Sequence, residues 1–98
     1  MRIVFADERL ARICTDEAHK LGLPIAIIKM ARRRLVQLEA ATDERDLRNL
    51  VSLHFKKLSG EYEGQRSIRV NDQYRIHFRL DEDETPPIIR ITFIGDPH

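Results

Sequence analysis

Apolar residues follow two rhythms along this chain, helical up to about residue 53 and alternating beyond it. MRIVF reads as a short first strand, ending near Asp7, which can cap the helix that follows. Leu10, Ile13, Cys14, Ala18 and Leu21 keep helical spacing over residues 7–21, and Gly22 stops them. Pro24 suits the first turn of a second helix, where Ile25, Ile28, Ala31, Leu35 and Leu38 form one apolar stripe. Lys29 and Arg32-Arg33-Arg34 spread around its other side. So short a link predicts an antiparallel helical hairpin. Thr42-Asp43-Glu44 then opens a loop or short helix through Leu47, Leu50 and Leu53.

Past that point Ile68 and Val70 alternate with Ser67, Arg69 and Asn71. Tyr74, Ile76, Phe78 and Leu80 alternate with Arg75, His77 and Arg79, and Ile89, Ile91 and Phe93 with Arg90 and Thr92. Three antiparallel strands are predicted, one face on the helices and one face wet. The expected architecture is α+β: a short N-terminal strand and an antiparallel helical hairpin packed on a small twisted antiparallel sheet.

Parity fixes the register of the hairpin RSIRVNDQYRIHFRL. Ile68, Val70, Tyr74, Ile76 and Phe78 must share the core face, so paired residue numbers must sum to an even number. A loop of Asn71-Asp72-Gln73 meets that condition, with Asn or Asp tolerating the left-handed position such a loop uses. Val70 then faces Tyr74, and Arg69 faces Arg75. Like charges directly opposite, with Cβ atoms about 5 Å apart, repel one another. His77, Arg79 and Arg90 extend the same face.

Composition narrows the possibilities. The 98 residues make one domain, residues 1–98, with 42% hydrophobic and 34% charged residues, a globular balance. A single cysteine, Cys14, gives no disulfide framework within the chain and suits a reducing cytoplasm. The start lacks an apolar h-region, and no apolar run is long enough to span a bilayer, so neither secretion nor membrane insertion is expected. Net charge is only +1, yet His54 to Arg79 holds six Lys/Arg against three acids, while other acids gather in DEDE at 81–84. This is a local basic patch on a near-neutral chain.

Two readings of the patch stand side by side. In one the arginines are solvated and paired with Glu61, Glu63 or the acids at 81–84. In the other they form an anion site for phosphodiester, since guanidinium is permanently charged and its planar fork matches phosphate oxygens. Tyr62 and Tyr74 read as half-buried sheet packing. The four histidines share no metal-ligand spacing, and no phosphate-binding glycine loop or nucleophile elbow is present, so no metal or cofactor is expected. His19 and His54 read as ordinary surface residues. His98 differs, because it directly follows the last predicted strand. Metal-free RNA cleavage needs a base for the ribose 2′-hydroxyl, cations for the phosphorane and an acid for the leaving oxygen. Arg69 and Arg75 could supply the charge, and His98 or Lys56 could move the proton.

The run LHFKKLSGEYEGQRSIRVNDQYRIHFRL, with GDPH at the end, resembles the HigB toxins of the RelE/ParE superfamily. The family core reads H-x-L-K-G-x-x-x-G-x-x-S-I-R-V/I-N-x-x-W/Y-R-I-x-F, and KKLSGEYEGQRSIRVNDQYRIHF keeps its spacing without a gap. The resemblance implies a ribosome-dependent mRNA endoribonuclease, cutting in the A site and neutralised by a HigA-like helix-turn-helix antitoxin in a hetero-oligomer. It implies that Arg75 stabilises the transition state, with His98 at the terminal histidine and Lys56 in the active-site histidine's slot; Arg69, placed opposite Arg75 by parity, completes the candidate catalytic set. Lys57, Arg66, Asn71, Gln73, His77, Arg79 and Arg90 are then the RNA-binding candidates. Three positions depart from the pattern. Lys56 stands in the slot of the family histidine, Ser59 in that of a lysine, and Pro97 replaces the tyrosine of D-Y-H. An attenuated nuclease is the expectation. The other readings left open are a toxin of the same fold acting on gyrase, as in the ParE branch, and a non-catalytic RNA-binding module.

Overall fold

A computed structural model describes residues 1–97. Its centre is one mixed sheet of five strands, in the order β1-β5-β4-β3-β2. These are β1 (Arg2–Phe5), β2 (Lys56–Lys57), β3 (Arg66–Arg69), β4 (Arg75–Asp81) and β5 (Ile88–Gly95). The antiparallel part matches expectation. The first strand adds a parallel edge beside the last, Arg2 opposite Ile88 through Phe5 opposite Ile91. Lys56 and Lys57, too short a stretch to show alternation, form the other edge against Ser67 and Arg66.

The helical layer departs from the predicted hairpin in its first arm. Only α1 (Glu8–Ala11) is α-helical there, capped by Asp7, whose carboxylate accepts from the Arg9 amide at 2.8 Å. A 3₁₀ turn at Arg12–Cys14 follows, then a break at extended Thr15, then a second 3₁₀ turn at Ala18–Leu21. Thr15 causes the break by local competition. Its hydroxyl donates to the Arg12 carbonyl at 2.8 Å and accepts from the Glu17 amide at 3.1 Å. The carbonyls stranded there go to Arg32, which donates to Ile13 O at 2.6 Å and Thr15 O at 2.8 Å. Ile13 and Ala18 stay buried, while Cys14 is turned to solvent.

The second arm, α2 (Ile25–Ala40), is continuous. It buries Ile27, Ile28, Ala31, Leu35 and Leu38 but leaves Ile25 70% exposed. Ile25 lies further round the helix from the stripe than Ile27, which replaces it. Asp43 caps α3 (Glu44–Asn49), accepting from the Asp46 amide at 3.1 Å, and Leu47 and Leu53 are fully buried behind it. No helix among the described residues is long and apolar enough to cross a membrane.

The hairpin register is as parity requires: Ser67 faces His77, Ile68 faces Ile76 and Arg69 faces Arg75. The loop closes without a left-handed residue. Asn71 Oδ1 instead accepts from the amides of Gln73 and Tyr74, at 2.9 and 2.8 Å, mimicking a backbone turn. Against β5 the register slips. His77 faces Phe93 but Phe78 faces Ile91, leaving Thr92 as the extra residue of a bulge. Ile94 therefore takes the core position, at 7% exposure, and Phe93 crosses to the arginine face. The expected alternation through Phe93 holds only as far as Ile91.

Arg32 ties the broken arm to α2, so Arg32→Ala should lower unfolding free energy by about 1–3 kcal/mol. Arg32→Lys should recover less than half of that, because an ammonium cannot fork across two carbonyls. Urea denaturation of the three proteins measures both effects.

Candidate active site

Register sorts the basic residues onto two faces. Residues pairing with the outward positions of β4 share its wet face: Ser67 and Arg69 from β3, Arg90 and Phe93 from β5, and Lys56 from β2 through Ser67. Lys56, Arg69, Arg75, His77, Arg79 and Arg90 are thus brought together. Arg66 and Lys57 are not. They pair with each other, and Arg66 lies opposite core residue Phe78. Arg66 donates to Glu44 Oε1 and to the Gly64 carbonyl, both at 2.9 Å. Burial alone would raise the Glu44 carboxyl, but hydrogen bonding and charge from Arg66, then Arg48 and Lys57, hold it below its usual range. These two candidates belong to an ion cluster with α3. Asn71 is occupied in closing the loop, and Gln73 Nε2 donates to Asp96 Oδ2 at 2.9 Å.

The facing pair Arg69 and Arg75 is held apart by four acceptors. Arg75 donates through Nε to the hydroxyl of Ser67, which is fully buried, and through Nη2 to the backbone carbonyl of His54 at 2.9 Å. Arg69 ion-pairs with Asp72 through Nη2 and meets His54 Nε2 with Nη1 at 3.2 Å. Burial, and then the charge of Arg69, push Arg75 below its ordinary value. His54 sits between the two guanidinium groups in a left-handed conformation, φ 47° and ψ 50°, just after buried Leu53. Read as ordinary surface in sequence, it touches both arginines. Its position two residues before Lys56 was the only sequence signal.

A second like-charged pair, Arg79 opposite Arg90, continues the face. Gly64, at φ +90°, gives Arg79 room: a Cβ there would lie 3.0 Å from the guanidinium. Among the described residues neither arginine forms an ion pair, and none of the basic groups pairs with Glu61, Glu63 or the acids at 81–84. Ion pairing therefore accounts for Arg66 and, in part, Arg69, while Lys56, Arg79 and Arg90 are exposed to solvent.

Beside the pair lies a cleft of about 390 Å³ lined by Tyr62, Gln65, His77, Thr92, Phe93, Asp96 and Pro97. His77 is 6% exposed, with ring centroids 5.9 Å from Tyr62 and 4.9 Å from Phe93. It floors the cleft rather than reaching out of it. Tyr62, expected to be half-buried in the sheet, instead stands 49% exposed on a 3₁₀ turn, Gly60–Tyr62, with its ring against His77, while Tyr74 is half-buried as expected. His98 lies outside the described residues.

Comparison with known proteins bears on the family and the fold. A family model described as the RelE-like toxin of the type II toxin-antitoxin system HigB matches residues 3–93. Toxin HigB-1 of Vibrio cholerae serotype O1 is 37% identical over 79 residues, covering 81% of this chain and 83% of that one. The fold is that of YoeB in the YoeB-YefM complex from Staphylococcus aureus, TM-score 0.61 at 15% identity, covering 100% of this chain and 98% of that one. It is also that of YafQ from E. coli strain BL21(DE3), TM-score 0.59 at 14% identity, covering 99% and 94% of the two chains.

Burial, and next the charge of Arg75, lower the His77 pKa from its ordinary 6.5. As pH falls through 6.5 the unfolded chain takes up a proton on this ring and the folded chain does not. The stability contributed by neutral His77 is complete above that value and lost below it. Denaturation from neutral pH down to about pH 5 should therefore show a shallower loss for His77→Phe than for wild type.

Proposed function

Because the chain belongs to the HigB-like family of RelE-like toxins of type II toxin-antitoxin systems, we propose that it is a ribosome-dependent endoribonuclease that cuts mRNA in the A site and halts translation. The observation that carries this reading is the Arg69–Arg75 pair, two guanidinium groups facing each other across one hairpin on an open face. A phosphodiester lying between them removes their repulsion and gives each a charge-assisted acceptor. As the ribose 2′-oxygen attacks, negative charge grows on the phosphorane oxygens, and fixed cations lower the barrier where that charge develops. Lys56, beside Ser67 on the same face, brings an ammonium that can protonate the departing 5′-oxygen. His98 is a second proton-transfer candidate. Arg79 and Arg90 extend positive charge along the strand, in the direction a bound RNA backbone would follow.

The partner we propose is a HigA-like helix-turn-helix antitoxin, forming a hetero-oligomer with the toxin in the cytoplasm. The structural neighbour from Staphylococcus aureus is itself a complex of YoeB with YefM. Its antitoxin role transfers here by family, and its type by the HigB relationship.

Purified protein added to ribosomes programmed with a defined mRNA should cleave within the A-site codon, and free mRNA should stay intact. Arg75→Ala should slow single-turnover cleavage by about 10²–10³-fold. Arg66→Ala should leave the rate within about twofold while costing about 1–2 kcal/mol of stability, since it frees a half-buried Glu44. Intact mRNA on ribosomes together with trapped gyrase would replace the nuclease reading with that of a gyrase inhibitor. RNA binding without cleavage would point to the non-catalytic module.

A further inference from the structure

The clamp supplies charge and Lys56 can give a proton, but cleavage also needs a group that takes one from the 2′-hydroxyl. From the geometry we propose that His54 is that group; the inference rests on the nuclease reading above. Three observations carry it.

The first is placement. His54 Nε2 lies 3.2 Å from Arg69 Nη1, and its own carbonyl holds Arg75 Nη2 at 2.9 Å. A phosphate seated between the arginines therefore lies beside this ring. The second is the tautomer. Arginine can only donate, so Nε2 is the acceptor and bears the lone pair, and in the neutral ring Nδ1 carries the hydrogen. When Arg69 turns its donor to a phosphate oxygen, that lone pair is released at the place where a 2′-hydroxyl would arrive. The third is the backbone. Gly22 ends the 3₁₀ turn Ala18–Leu21 at φ 72°, the ordinary solution for a left-handed residue, whereas His54 ends Val51–Leu53 at φ 47°. A residue with a Cβ is strained there. Its side chain is exposed, and a strained residue against a cation pair marks a functional position.

The step balances as a transesterification. Nε2 takes the 2′ proton as the O2′–P bond forms, and the P–O5′ bond breaks with its electron pair on O5′. Lys56 protonates that oxygen, leaving a 2′,3′-cyclic phosphate and a 5′-hydroxyl. The imidazolium and the amine then exchange their proton through water. The charged groups facing His54 are Arg69 from β3, Arg75 from β4, and Asp72 of the loop through Arg69.

The test uses full-length His54→Gly and His54→Asn, both of which tolerate the left-handed backbone, in single-turnover cleavage on programmed ribosomes. Thermal melts confirm folding. We expect both variants to lose about 100-fold in rate. Added imidazole should restore about tenfold for His54→Gly, rescue rising with pH as more imidazole is unprotonated. Rates within about threefold of wild type would overturn the proposal while leaving the nuclease reading intact. A loss without imidazole rescue, equal to that of Arg69→Ala, would make His54 a positioning residue and overturn it as well. Wild type that fails to cleave ribosome-bound mRNA would remove the nuclease reading and this assignment together.

Discussion

The opposition of Arg69 and Arg75 is the constraint around which the basic face is arranged. It is imposed from the other side of the sheet. Ile68, Val70, Ile76 and Phe78 are all fully buried, and each contributes about 1.5–3 kcal/mol by leaving water. Like charges opposite one another on a sheet cost only about 0.2–1 kcal/mol. Core burial wins, and the register it sets forces the guanidinium groups together. The fold then surrounds the pair with acceptors: the Ser67 hydroxyl, the Asp72 carboxylate, and the carbonyl and ring of His54.

The bulge at Thr92 completes the face from the neighbouring strand. Without it, Phe93 would follow Ile89 and Ile91 into the core. The extra residue sends Ile94 inward and stands Phe93 against His77, whose ring Tyr62 covers from the opposite edge. An apolar floor is thereby built next to a cationic clamp. Thr92 Oγ1 and Gln65 Oε1, 2.7 Å apart, form the polar wall of the cleft.

Sequence pattern carries parity well and torsion poorly, and the outcome follows that division. The Arg69–Arg75 register was readable because five apolar positions had to share a side. The bulge was not, since Thr92-Phe93-Ile94 continues a plausible alternation and only packing chooses which residue is skipped. The break at Thr15 is invisible to the pattern for a similar reason. Ile13 and Ala18 keep helical spacing, while the hydroxyl that competes for backbone partners leaves no mark on periodicity. Arg66 looked like its neighbours in composition, yet one step of parity sends it to Glu44. His54 carries no pattern of its own, because its left-handed backbone and its contacts with Arg69 and Arg75 are set by residues far along the chain.

The two arginines of the clamp are not equivalent. Arg75 is anchored on the hydroxyl of Ser67, fully buried in β3, and on the backbone carbonyl of His54. Arg69 is held by Asp72, whose side chain is 92% exposed, and by the His54 ring. An exposed ion pair is worth at most about 1 kcal/mol, less than a guanidinium gains from a phosphate it can grip with two donors. On the proposed nuclease reading, an arriving phosphodiester would draw Arg69 away from both partners while Arg75 stays fixed. One half of the clamp would then set the position of the phosphate, and the other, in moving to meet it, would uncover the His54 ring beside it.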